Sequence, residues 1–188
     1  MEQARQATIS ARSVLVLGGA RSGKSAYAQY LAEAAAPERL YLATAEPGDA
    51  DMARRIARHR GARGAGWTTL EEPLALAEAL RSNARIGRVV LVDCLTLWLS
   101  NLMHAGRDPE AAIAGLAEAI GALEGPAIVV SNEVGMGIVP EHRLGRDFRD
   151  WQGRVNREAA RACDVVALVA AGLPVLLKPA PRPALRLS

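Results

Sequence analysis

Lysine is nearly absent from this sequence. Only Lys24 and Lys178 occur among 188 residues, against 21 arginines. Cysteine occurs twice, as Cys94 and Cys163, too few for a disulfide framework or a four-ligand zinc site. No apolar run reaches the length that spans a bilayer. The polar start, MEQARQATISARS, leads into a short apolar run without a cleavage pattern, so no secretion signal is expected and the cytoplasm is the expected location. The formal net charge is only +3. The arginine excess comes with 37 alanines, a bias that codon composition produces, so a nucleic-acid partner is not expected.

What is present is a core. Half of the residues are hydrophobic, and the length suits one domain. Residues 1–12 read as a disordered lead-in, 13–178 as a single α/β domain, and 179–188, rich in proline, as an irregular tail. Apolar runs of strand length stand at 14–17, 39–43, 88–92, 127–131, 165–169 and 175–178. Helical patterns lie between them at 25–36, from Asp49 or Asp51 to about 62, and at 73–83, 95–104, 109–123 and 146–163. A glycine-rich joint, 61–66, separates two of these. Alternating strands and helices predict a mostly parallel sheet with helices on both faces. The all-apolar run VVLV at 89–92 suits a strand covered on both sides. Such sheets bind ligands beyond the carboxyl ends of their strands, so residues just after strands are the informative ones.

Gly18, Gly19, Ala20, Arg21, Ser22, Gly23, Lys24 and Ser25 fit G-x-x-x-x-G-K-[ST] between a strand and a helix, the phosphate-binding P-loop context. Glycines let backbone N–H groups turn inward, and the helix start adds partial positive charge. Lys24 would reach the outer phosphates and Ser25 would ligate Mg²⁺. Asp93 ends the VVLV run, where a second Mg²⁺ carboxylate belongs; its other reading is a helix cap. Thr44 and Glu133 follow strands and are expected on the same sheet edge, as ligands or as turn formers. An N-K-x-D motif for guanine is absent, because Lys178 is followed by proline, and no G-x-G-x-x-G replaces the lysine cradle. Arg146, Arg149, Arg154, Arg157 and Arg161 could screen phosphate charge or form a solvated helix face.

The segment DMARRIARHRGAR, 51–63, places His59 among five arginines. Met52, Ile56 and His59 share a helix face, so His59 could simply be a core-edge residue. A neutral imidazole is also a good nucleophile toward phosphorus, and Arg58, Arg60 and Arg63 could neutralise a triphosphate under attack.

The segments GGARSGKS, YLATAEPGDADMARRIARHR, LVDCLTLWLSNLM and SNEVGMGIVPEHRLGRDFRDWQGRVNREAARACDVV resemble the bifunctional adenosylcobinamide kinase/adenosylcobinamide-phosphate guanylyltransferase family of cobalamin biosynthesis. The first segment is generic to phosphate loops, and the last is specific. The resemblance covers about 14–178 and implies a P-loop NTPase fold of RecA-like type with one antiparallel edge. It implies that ATP or GTP phosphorylates adenosylcobinamide. GTP then donates GMP to that phosphate through a covalent histidine, matching His59, and pyrophosphate leaves. Gly18 to Ser25 match the phosphate loop. Ala43, Thr44 and Ala45 match a nucleotide-contacting turn, Ala45 standing where serine is more usual. Arg60, Gly61, Ala62 and Arg63 match the guanine-nucleotide segment, with Arg60 in place of a lysine. Glu71 and Asp93 match carboxylates near the nucleotide, and a relative has glutamate in place of Asp93. Relatives of this type assemble as trimers. Three tryptophans, Trp67, Trp98 and Trp151, are candidate corrin anchors or core residues.

Overall fold

The computed structural model describes residues 9–45 and 64–180. In chain order the elements are β1 (Ser13–Gly18), α1 (Lys24–Ala35), β2 (Glu38–Ala43), β3 (Trp67–Glu71), α2 (Leu76–Asn83), β4 (Arg88–Asp93), α3 (Leu95–His104), α4 (Pro109–Gly121), β5 (Ala127–Asn132), α5 (Arg143–Ala162), β6 (Val165–Ala170) and β7 (Leu173–Lys178). The strands form one seven-stranded sheet in the order β3-β2-β4-β5-β1-β6-β7. All neighbours pair in parallel except β6 and β7, which are antiparallel. Ala171 and Gly172 join those two with φ of 51° and 81°, the left-handed pair that a tight two-residue hairpin turn requires.

Strand periodicity divides the core in two. Val16, Val89, Leu91, Ile128 and Val130 pack on one face against Ala28 and Ala32 of α1, whose small side chains let the helix approach closely. On the other face Leu15, Leu17, Leu42, Val90, Val92 and Val129 meet Leu76, Leu80, Leu95, Trp98, Leu99, Leu116 and Val155 of the remaining helices. Each fully buried leucine here contributes about 1.5–3 kcal/mol. Trp98 is 1% exposed and donates from Nε1 to the Leu74 carbonyl at 2.9 Å, which makes it a core residue.

Several boundaries differ from the sequence expectation for local reasons. β3 has no counterpart among the expected strands. It is an edge strand, WTTLE, with four of its five residues exposed, so it carries no apolar alternation to reveal it. α2 starts at Leu76 instead of residue 73, because the Glu72 carboxylate accepts from the N–H groups of Leu74 and Ala75 at 2.9 and 2.7 Å and holds them in a turn. α5 starts earlier, at Arg143, and the Arg146 guanidinium donates to the carbonyls of Pro140 and Glu141 just before it. The lead-in is tied down at Arg12, whose N–H donates to Asp164 Oδ2 at 2.7 Å. The helix expected to end near residue 62 lies outside the described residues.

Candidate active site

Both the motif and the pleat direct attention to the carboxyl edge of the sheet. β1 ends at Gly18, and α1 begins at Lys24 with Gly23 as its N-cap, at φ 98°. No side chain caps this helix, so its first N–H groups face the loop as donors for an anion. The loop is braced from outside. Gly172 N–H donates to the Ser22 carbonyl at 2.8 Å, and a Cβ on Gly18 would collide with the Val169 carbonyl oxygen. Lys24 is 8% exposed, and its Nζ donates to the Gly19 carbonyl at 2.6 Å, which curls the ammonium over the cradle. The buried Ser22 Oγ has no hydrogen-bond partner in the structure, as fits a site that an anion or water completes.

Alternation along parallel strands decides which later residues face the same way. Val16, Leu91 and Val130 lie on the α1 face, so Gly18, Asp93 and Asn132, each two residues further, share it. Tyr41 packs on the same face, and its hydroxyl donates to Asp93 Oδ2 at 3.1 Å. The cradle and the carboxylate therefore converge on one side of the edge. Ala43, Asp93 and Glu71 stand in one register row across β2, β4 and β3. With roughly 4.8 Å between strands, β4 is about 10 Å from β1 and β3 about 19 Å. Asp93 therefore stands nearer the phosphate loop than Glu71 does.

Thr44 does something different from a simple ligand. It is fully buried, its hydroxyl donates to the Cys94 carbonyl at 2.7 Å, and the same oxygen accepts from Cys94 N–H at 2.8 Å. Asn101 Nδ2 donates to the Thr44 carbonyl at 2.7 Å. This residue clamps the end of β2 to the turn that follows Asp93. Ala45 follows it, partly buried. Burial, with the neighbouring Asp93 charge adding to it, pushes the Cys94 thiol up to about 11, so it is no nucleophile at neutral pH. Glu133 serves as a turn former: its N–H donates to the Gly18 carbonyl at 3.0 Å and its Oε1 accepts from Gly135 N–H.

His59, Arg60, Gly61, Ala62 and Arg63 lie outside the described residues. The later arginines have local partners. Arg154 pairs with Glu110 at 2.7 Å and lies 4.5 Å over Trp151, Arg157 and Arg161 pair with Glu158, and Arg149 donates to the Gly135 carbonyl. Trp67 packs edge-on to Tyr41, with ring centroids 6.4 Å apart. Sequence reasoning missed Tyr41 and Asn132, because their place at the edge depends on strand register. An open cleft of about 760 Å³ lies at the opposite edge, beside the starts of β1, β5 and β6, and has no phosphate cradle.

Residues 14–177 match the family described as cobinamide kinase / cobinamide phosphate guanyltransferase. The chain belongs to this cobinamide kinase/guanyltransferase family. It is 50% identical over 170 residues to the bifunctional adenosylcobalamin biosynthesis protein CobP of Pseudomonas aeruginosa, covering 89% of this chain and 98% of the relative. It is 39% identical over 180 residues to the bifunctional adenosylcobalamin biosynthesis protein CobU of Escherichia coli, covering 88% and 99%. Among solved structures, the fold resembles an ATPase from a bacterial type III secretion system, at a TM-score of 0.53 with 11% identity over 88% of this chain and 56% of that one. It also resembles a Pyrococcus horikoshii OT3 protein, at a TM-score of 0.52 with 11% identity over 88% and 85%. These two likenesses speak for the P-loop NTPase fold alone. As a member of the cobinamide kinase/guanyltransferase family, the chain is a bifunctional kinase and guanylyltransferase.

Proposed function

We propose that the two activities run in sequence on one substrate arm, with the cradle and Asp93 serving the first step and His59 the second. In the kinase step a hydroxyl oxygen of adenosylcobinamide attacks the γ-phosphorus of ATP or GTP. A P–O bond forms, the bond to the β-phosphate breaks, and the hydroxyl loses its proton. Lys24 and the N–H groups at the start of α1 carry the shifting phosphate charge. Ser25 and Asp93 would hold Mg²⁺, which shields phosphate charge when bound. The donor set fits such an ion: one hydroxyl at the helix start and one carboxylate, both hard oxygen ligands.

In the second step an imidazole nitrogen of His59 attacks the α-phosphorus of GTP. A P–N bond forms and pyrophosphate leaves. An oxygen of adenosylcobinamide phosphate then attacks the same phosphorus, the P–N bond breaks, and adenosylcobinamide-GDP results. His59 must carry its imidazole unprotonated to attack. Arg60 to Arg63 would hold the guanine nucleotide, with Ala43 to Ala45 and Glu71 beside it. The observation that carries this reading is the family match spanning both the cradle and the His59 segment.

The test uses GTP labelled at the α or the γ position. Protein-bound label that is acid-labile and alkali-stable should come from α only and vanish in His59→Ala. Label retained in that variant rejects His59 as the nucleophile. We further propose a homotrimer in the cytoplasm. Leu173, Val175, Leu176 and Leu177 leave β7 with an exposed apolar surface that supports assembly, and no helix among the described residues is long and apolar enough to cross a membrane. Light scattering on the purified chain tests the trimer.

A further inference from the structure

We infer that Asn132 is a specificity-determining residue of the kinase step, its side-chain amide donating to the γ-phosphoryl group during transfer. This rests on the function proposed above and adds a residue to it. The first ground is topology. β5 lies between β1 and β4, so its last residue, Asn132, stands at the edge between the cradle and Asp93, in register with Gly18. The second is the pleat. Ile128 and Val130 pack on the α1 face, and Asn132 continues that row, level with Gly18 and two residues beyond Val130, the register partner of Asp93.

The third ground is how firmly the residue is held. Its N–H donates to Thr96 Oγ1 at 2.9 Å, and its carbonyl accepts from Asn156 Nδ2 at 3.0 Å. Asn156 is fixed in turn. Its Oδ1 accepts from Ser131 Oγ at 2.6 Å and from Gln152 Nε2 at 3.0 Å, and all three residues are buried. This network sits on the opposite face of β5 and pins the strand end to α5. The Asn132 side chain, half-buried, makes no hydrogen bond with any described residue. A rigid backbone thus presents an uncommitted amide donor where the outer phosphates of a nucleotide in the cradle belong.

The chemistry distinguishes the two reactions. In the kinase step charge redistributes on the γ-phosphoryl group, so a donor aimed there gains strength in the transition state. In guanylyl transfer the α-phosphorus reacts and the γ-phosphate leaves unchanged within pyrophosphate. Any contact to that γ-phosphate contributes about equally before and during reaction.

The experiment compares, in the full chain, γ-phosphoryl transfer from ATP to adenosylcobinamide with α-label transfer from GTP onto the protein. For Asn132→Ala the ratio of the two rates should fall at least tenfold, with the loss in kcat and not in KM for ATP. Asn132→Asp keeps the side-chain shape but sets a carboxylate against phosphate oxygens, and should fall further. If the alanine variant does not fold, judged by its thermal melt, the aspartate variant decides alone. A ratio within threefold of wild type, or a change confined to KM, overturns the inference while leaving the two-step function standing. A wild-type chain that transfers neither label overturns both.

Discussion

Replacing Thr44 by valine removes one hydroxyl and keeps nearly the same shape. That hydroxyl makes two buried hydrogen bonds to one residue, donating to the Cys94 carbonyl at 2.7 Å and accepting from its N–H at 2.8 Å. In the valine variant the Cys94 carbonyl still accepts from Trp98 N–H at 3.2 Å. The Cys94 N–H loses its acceptor in a site that is 0% exposed at Thr44 and 7% at Cys94. A buried orphaned donor costs about 1–3 kcal/mol, and the lost carbonyl bond adds about 0.5–1.5 kcal/mol, so Thr44→Val should lose about 1.5–4.5 kcal/mol. Thr44→Ser keeps both bonds and loses one buried methyl, about 1 kcal/mol. Urea denaturation of both variants without nucleotide, followed by far-UV circular dichroism, reads the difference. With a slope near 2 kcal/mol per molar, the valine midpoint should drop by about 1–2 M. A valine variant within about 0.5 kcal/mol of wild type, or a serine variant as unstable as valine, would refute the clamp.

Other predictions rest on separate contacts. In Gly23→Ala a residue at φ 98° gains a Cβ 3.1 Å from Gly172 Cα; GTP affinity, measured by calorimetry, should fall at least tenfold as the loop shifts. Asp164 accepts from Arg12 N–H and Ser13 N–H at 2.7 and 3.0 Å, and these bonds, led by that from Arg12, hold its carboxyl below the usual range. A depressed folded pKa means the stabilisation is present above about pH 4 and is lost as pH falls through the folded value. Asp164→Asn should therefore be less stable than wild type at pH 6, and its melting-temperature deficit should close on acidification. Burial pushes the Cys163 thiol up to about 12 and Cys94 to about 11, so neither should react with a thiol reagent at pH 8 until denaturant is added, when both should.

Much of this protein is legible locally. The phosphate loop reads directly from its residues, because glycines, Lys24 and Ser25 at fixed spacing need only a strand before and a helix after. The buried strands show themselves as apolar runs, since both faces of the sheet are covered. β3 escaped because four of its five residues are exposed, so no apolar alternation marks it. Thr44 shows the limit more sharply. Its position after a strand placed it at the right edge, but spacing alone left ligand and turn roles open.

Amino-acid order by itself determined the α/β pattern, the cradle and the family, each written within short contiguous segments. The tertiary structure alone decided the strand order that puts β5 between the cradle and Asp93. It also brought Tyr41 to Asp93, 52 residues away, and Thr44 to Cys94, 50 residues away. The physical reason is that side chains on separate strands meet through register and pleat, which are set by how buried faces pack together, and no local spacing encodes that.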